Sequence, residues 1–83
     1  MNLGNVLIAD DHPFVLTFLR KLLEDHFETN KITTIRTLPE LNKEVEKLGY
    51  NLYVLDLEFK EGNCYELIHI IRNEQKKAKV IVN

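Results

Sequence analysis

Two short apolar runs in this chain each lead directly into acidic residues. The run Val6–Ala9 is followed by Asp10 and Asp11, and the run Leu52–Leu55 is followed by Asp56. An uninterrupted apolar run of this length is typical of a strand that is buried on both faces of a parallel sheet. The pattern therefore predicts two buried strands, each of which ends in carboxylates.

A first helix is predicted directly after the first strand. Pro13 suits the first helical position because its missing N–H would have no partner there, and Asp11 or His12 would cap the helix. The helix is expected to continue to about Asp25, with the phenylalanines as core or helix-flank residues. Its predicted sheet-facing stripe consists of Val15, Phe18, Leu19, Leu22 and Leu23.

The middle of the chain predicts a second strand and a second helix. The segment Lys31–Arg36 is rich in β-branched residues and indicates an outer strand. Thr37 and Glu40 have the spacing of a capping box, which begins a helix that is expected to end at Leu48. Gly49 is expected to stop this helix in a left-handed conformation.

The last part of the chain repeats the alternation. A loop through Gly62 leads to a third helix with an apolar stripe at Cys64, Leu67, Ile68 and Ile71, and Val80–Val82 begins a fourth strand. Strands that alternate with helices imply right-handed crossovers and a parallel sheet with helices on both faces. The predicted architecture is a three-layer α/β/α fold of order β-α-β-α-β-α-β.

Composition narrows the class of protein. The 83 residues are expected to form one domain, residues 1–83, with a net charge of −2 that gives no general attraction to nucleic acid. The apolar runs are too short to span a membrane, and no signal peptide is recognised at the N-terminus. A single cysteine, Cys64, cannot form an internal disulfide, so we expect a reducing, cytoplasmic setting.

The acidic residues are the candidates for chemistry. Because the carboxyl ends of parallel strands meet at one edge of the sheet, Asp10, Asp11 and Asp56 are expected to lie together in the crevice where ligands bind. The alternative is that they are ordinary cap and turn residues. The three histidines lack the spacing of a zinc site and are expected to be structural.

The motifs VLIADDHP and LYVLDL, in this order, resemble those of response-regulator receiver domains. The resemblance covers essentially the whole chain and implies the flavodoxin-like (CheY-like) fold with strand order 2-1-3-4. It implies that Asp56 accepts a phosphoryl group from a sensor histidine kinase. It further implies that Asp10, Asp11, Asp56 and the backbone carbonyl of Glu58 hold Mg²⁺, so that the chain is a signalling switch and not an enzyme.

Some positions depart from the family pattern. Phe59, Lys60 and Glu61 stand where the family usually has methionine-proline-glycine, and Cys64 replaces a glycine before the third helix. These departures favour an alternative, a degenerate receiver that acts only as a protein-interaction or dimerisation module. A phosphatase of the haloacid dehalogenase type is disfavoured, because Glu58 stands where those enzymes carry a second aspartate.

The predicted fourth strand has consequences for assembly. The family's serine or threonine, its lysine and its aromatic switch residue would lie beyond Asn83, so the chain is expected to be an incomplete receiver. Val80–Val82 would then form an apolar sheet edge, and we expect a homodimer through it. The ADDHP motif resembles the branch with C-terminal helix-turn-helix output domains. A DNA-binding domain is thus expected in a longer protein, whereas this segment itself binds neither nucleic acid nor membrane.

Overall fold

The computed structural model describes all 83 residues and contains six strands and three helices. These are β1 (Asn5–Ala9), α1 (Pro13–His26), β2 (Lys31–Ile35), α2 (Leu38–Glu46), β3 (Leu52–Leu55), β4 (Glu58–Phe59), β5 (Gly62–Asn63), α3 (Tyr65–Glu74) and β6 (Lys79–Val82). Four strands form a parallel sheet in the order β2-β1-β3-β6. Since β6 is the fourth strand predicted from the sequence, the predicted strand order is confirmed.

The side chains of β1 and β3 alternate between two apolar clusters, one on each face of the sheet. Leu7 and Tyr53 face α2 and α3, whereas Ile8 and Val54 face α1. Both strands are buried along almost their whole length, which explains why they appear in the sequence as continuous apolar runs. The predicted three-layer arrangement is therefore confirmed.

A short hairpin replaces the loop that was expected after β3. Strands β4 and β5 pair antiparallel, with Glu58 opposite Asn63 and Phe59 opposite Gly62. Phe59 is buried in the cluster under α2 and α3, and Gly62 adopts a φ of +145° that side-chain-bearing residues rarely adopt. Burial of Phe59 anchors this segment to the core, next to the end of β3.

The predicted apolar stripe of α1 is partly wrong. Leu16 is the buried residue of this helix, and Leu19 and Leu23 pack beside it against the sheet. Phe18 is instead 62% exposed, and Phe14 is 88% exposed. The apolar arc of α1 is wider than the surface that the sheet covers, so the periodicity alone did not fix which part of the arc faces inward. Leu22 and Phe27 are likewise exposed rather than core residues.

The two ends of α2 differ in how well they were predicted. Thr37 Oγ1 accepts a hydrogen bond from the backbone N–H of Glu40 at 3.3 Å, which confirms the threonine half of the capping box. The Glu40 carboxylate accepts from the Thr37 hydroxyl at 3.1 Å. The helix ends at Glu46, and the residue with a left-handed φ of 49° is Leu48. The assignment of that role to Gly49 was therefore wrong.

Strand β6 is an edge of the sheet, since it pairs with β3 alone. Ile81 on this strand is 51% exposed, and Val82 is also exposed. None of the three helices combines the length and the apolar character that crossing a bilayer requires.

Candidate metal centre

Backbone hydrogen bonds continue the sheet past the ends of β1 and β3. The N–H of Asp10 donates to the carbonyl oxygen of Ile35 at 3.0 Å, and the N–H of Asp56 donates to the carbonyl oxygen of Ala9 at 2.8 Å. Each acidic residue is thus fixed against the neighbouring strand rather than placed on a free loop. This register aligns the carboxyl ends of β1 and β3 and so brings the carboxylates to one edge of the sheet, as expected.

The structure brings Asp10, Asp11 and Asp56 together and adds a fourth residue, His12. One potential ligand atom from each of the four lies within 4.8 Å of the others. The Asp10 side chain is buried, whereas Asp11 and Asp56 are partly exposed. The arrangement therefore has a buried base and an open side at Asp56.

His12 was expected to be structural at most, yet it lies within the acidic cluster. Its Nδ1 lies 2.8 Å from Asp10 Oδ1 and 3.1 Å from Asp11 Oδ1, and its backbone N–H donates to Asp10 Oδ1 at 2.9 Å. The hydrogen bond to Asp10, followed by the charge of Asp11, raises the pKa of His12 above 6.5. A histidine directly after two aspartates at the start of a helix was the sequence signal for this contact.

The environment of the Asp11 carboxylate indicates whether the cluster suits a cation. Its Oδ1 is buried and makes no hydrogen bond, and its charged contact is with His12 Nδ1 at 3.1 Å. Two carboxylates about 4 Å apart repel by roughly 4 kcal/mol at an effective dielectric constant near 20. A divalent cation would offset the repulsion among these carboxylates, and Mg²⁺ prefers oxygen ligands of this kind. The residues present therefore fit Mg²⁺.

Two residues of the segment that follows β3 donate hydrogen bonds to Asp56. The N–H of Glu58 donates to Asp56 Oδ1 at 3.4 Å, and the Sγ of Cys64 donates to the Asp56 carbonyl oxygen at 3.2 Å. Burial raises the pKa of the Cys64 thiol, so the thiol remains a donor. The Glu58 side chain is exposed. Coordination by its backbone carbonyl stays a prediction.

A polar pocket of about 280 Å³ opens beside the cluster. It is lined by Asp11, Arg36, Thr37, Glu40, Lys60 and Glu61. Glu61 Oε1 accepts the backbone N–H of Leu38 at 3.2 Å, which ties the hairpin to the start of α2. The pocket therefore places the cationic side chains of Arg36 and Lys60 beside an otherwise acidic site. This feature was not predicted from the sequence.

The family model for the response regulator receiver domain matches residues 6–83. The chain belongs to this family. Among curated proteins, the receiver is 34% identical over 85 residues to the transcriptional regulatory protein RcsB of Escherichia coli strain K12. The match covers 99% of this chain and 39% of RcsB, so the chain spans about two fifths of the length of this relative.

Solved structures give the same picture of the receiver. A structure of two RcsB dimers bound to two parallel DNAs matches with a TM-score of 0.77 and 33% identity, over 99% of this chain and 41% of that one. The isolated REC domain of RcsB from Salmonella enterica serovar Typhimurium, in the presence of phosphomimetic BeF3-, matches with a TM-score of 0.78 and 33% identity. That match covers 99% of this chain and 61% of the other. The fold of the present chain is therefore the receiver fold.

Proposed function

We propose that this receiver accepts a phosphoryl group on Asp56 in a Mg²⁺-dependent reaction with a sensor histidine kinase. The observation that carries the proposal is the position of Asp56, which is partly exposed and lies at the carboxyl end of a buried strand beside Asp10 and Asp11. The relative whose isolated receiver was solved with phosphomimetic BeF3- supports it.

In this reaction a carboxylate oxygen of Asp56 attacks phosphorus and forms an acyl phosphate, while the bond from phosphorus to the donor nitrogen breaks. The donor leaves as a neutral imidazole after it takes up a proton. Asp10, Asp11 and Asp56 would hold Mg²⁺, whose positive charge would offset the repulsion between these carboxylates and an anionic phosphodonor.

The chain's own residues have distinct roles in this proposal. Asp10 and Asp11 hold the cation, and the backbone N–H of Glu58 orients the Asp56 carboxylate through its contact with Oδ1. Arg36 and Lys60 line the adjacent pocket and would attract an anionic phosphodonor. Lys60 thereby supplies positive charge on the hairpin next to the acceptor.

The biological setting is part of the same proposal. RcsB is a transcriptional regulatory protein and is longer than this chain, so we propose that the receiver controls a DNA-binding output domain in a longer protein. A cytoplasmic location is supported by the free, buried thiol of Cys64. Self-association through the exposed edge of β6 is supported by the exposure of Ile81 and Val82.

A second candidate function is that of an interaction module that is not phosphorylated. The specific observation in its favour is the hairpin, where Phe59 fills the core and Lys60 and Glu61 form the turn beside the acceptor. In this alternative the hairpin restricts access to Asp56, and the open β6 edge provides the binding surface.

Intact-mass analysis tests the proposal. The chain is incubated with Mg²⁺ and acetyl phosphate, beside Asp56→Asn and the control Glu74→Gln, an exposed acid at the end of α3. We expect the mass of one phosphoryl group to be added to the wild type and to the control but not to Asp56→Asn. Absence of the adduct from folded wild type in the presence of Mg²⁺ would favour the interaction module.

A further inference from the structure

A groove runs between α2 and α3, on the face of the sheet opposite α1. Its two adjoining parts have volumes of about 270 Å³ each and share the residues Asn42, Leu67 and Ile70. We propose that this α2–α3 groove binds an amphipathic helix of a partner protein, in which apolar side chains are flanked by lysine or arginine. The inference goes beyond the proposed function, because no residue of the acidic cluster lines the groove.

The lining of the groove offers apolar surface to a partner. Val45 and Leu67 line it and are buried, whereas Ile70 is 44% exposed between the two helices. Leu48 lines the same part and has a φ of 49°, a conformation that leucine rarely adopts. An apolar side chain is thus present where glycine or asparagine would suit the backbone better. Burial of Ile70 by a partner would remove apolar area from water and so favour binding.

The walls of the groove favour a helix over an extended peptide. Both walls are helices, whose interior N–H and C=O groups are hydrogen-bonded within each helix. An extended peptide would find no strand edge to pair with here, whereas a helix satisfies its own backbone groups. The nine residues of α2 span about 14 Å, which accommodates roughly two and a half turns of a partner helix. Apolar side chains at positions i and i+4 of that helix would share the face that enters the groove.

The charges beside the groove determine the charge of the partner. Glu46 on α2 and Glu66 on α3 line it and are exposed, and no basic side chain lines either part. Neither glutamate takes part in an ion pair of the chain. An apolar centre with an unpaired acidic rim is complementary to an apolar helix face bordered by lysine or arginine. The exposed surface around Phe18 on α1 selects no charge, because Lys21 and Asp25 pair with each other beside it.

The inference can be tested with two synthetic helical peptides that carry leucines at positions i, i+4 and i+7. They differ only in the flanking residues, which are lysines in one peptide and glutamates in the other. Fluorescence anisotropy measures the affinity of each labelled peptide for the full chain at low salt. We expect the wild type to bind the lysine peptide roughly tenfold or more tightly than the glutamate peptide. Amide resonances of Val45, Leu48 and Leu67 should shift when the lysine peptide is added.

Three variants locate the binding site. Ile70→Ala should weaken binding of the lysine peptide roughly tenfold, because the exposed apolar contact is lost. Glu46→Lys combined with Glu66→Lys should reverse the preference between the two peptides, and both positions are exposed, so the fold is retained. Phe18→Ala is the control, since it removes an exposed apolar side chain from another surface, and its affinity should equal that of the wild type. Circular dichroism verifies that each variant is folded.

Four results would overturn the inference. They are equal binding of the two peptides, or no binding of either, by the folded wild type; retention of the lysine preference after the double charge reversal; an equal loss of affinity in Phe18→Ala and Ile70→Ala; and resonance shifts confined to α1. Self-association of the wild type without peptide, if Ile70→Ala abolished it, would assign the groove to a second copy of the chain and also contradict the inference.

Discussion

The backbone N–H of Asp56 donates to the carbonyl oxygen of Ala9 across 2.8 Å, one residue beyond the last paired residues of β1 and β3. This hydrogen bond aligns the acidic end of β3 with the acidic end of β1. The sheet therefore fixes the backbone positions of these acidic residues side by side, and the repulsion between their carboxylates opposes folding until a cation binds or a charge is removed.

Asp11→Asn is expected to stabilise the metal-free chain by on the order of 1 kcal/mol, because it removes one of three neighbouring negative charges. It should also remove most of the stabilisation by Mg²⁺, which for a ligand at about 100 times its Kd is about 2.7 kcal/mol. Chemical unfolding with and without Mg²⁺ measures both effects. Asp25→Asn on the exposed end of α1 is the control, and an equal Mg²⁺ effect in wild type and Asp11→Asn would contradict the assignment of the site.

The pairing of His12 with Asp10 should make stability depend on pH. Because the pKa of His12 is raised above 6.5, its stabilising effect is fully present below pH 6.5 and is lost as pH rises through the raised pKa. The difference in unfolding midpoint between wild type and His12→Ala should therefore shrink with rising pH. Proton NMR titration should show a His12 pKa above 6.5 that falls when Asp10 is changed to Asn. A difference in midpoint that grows with pH would be inconsistent with this pairing.

The two sides of α1 should respond very differently to substitution. Leu16→Ala is expected to cost about 2–5 kcal/mol, since Leu16 is buried between α1 and the sheet. Phe18→Ala should change the free energy of unfolding by less than about 0.5 kcal/mol, because that ring is mostly exposed. Urea unfolding of both variants provides the comparison, and a larger cost for Phe18→Ala would support the stripe inferred from periodicity.

The edge of β6 can be tested with proline. The N–H groups of Lys79 and Asn83 donate towards β3, to Asn51 and Leu55, so the alternation of the ladder turns the N–H of Val82 outward. Val82→Pro should therefore abolish self-association and leave the sheet intact, whereas Ile81→Pro should weaken pairing with β3. Sedimentation velocity at several concentrations measures association. A wild-type chain that remains monomeric at tens of micromolar would eliminate the edge-mediated dimer.

The cations of the polar pocket should influence the rate of phosphorylation. Lys60→Ala is expected to slow labelling by acetyl phosphate several-fold at low salt, and the difference should diminish as salt screens the charge. Lys76→Ala, on the loop that follows α3, is the control. The rate is followed by intact mass, and a loss that does not depend on salt would point to a structural effect of Lys60 on the hairpin.

The sequence predicted the strands well, because β1 and β3 are buried on both faces and appear as continuous apolar runs. The order of the strands came from the resemblance to receiver domains. It also placed Asp10, Asp11 and Asp56 at one edge of the sheet, since the end of a parallel strand follows directly from its length. These predictions depend on local pattern and on the rules of strand connection.

The remaining features depend on contacts between distant residues. Phe59 enters the core only because α2 and α3 leave room for it, so the β4–β5 hairpin has no local signal. The rotation of α1 and the left-handed conformation of Leu48 are likewise set by packing. The contacts of His12 were not predicted, because they arise from the turn that joins β1 to α1 and not from the regular spacing of a zinc site.

Phe14 and Phe18 lie on the exposed side of α1. The acidic cluster lies instead at the carboxyl ends of β1 and β3. Descendants of this gene can therefore acquire new side chains at these two positions at little cost to folding and without rearranging the acidic cluster. The outer surface of α1 can diverge among such descendants while the carboxylates at the strand ends are inherited intact.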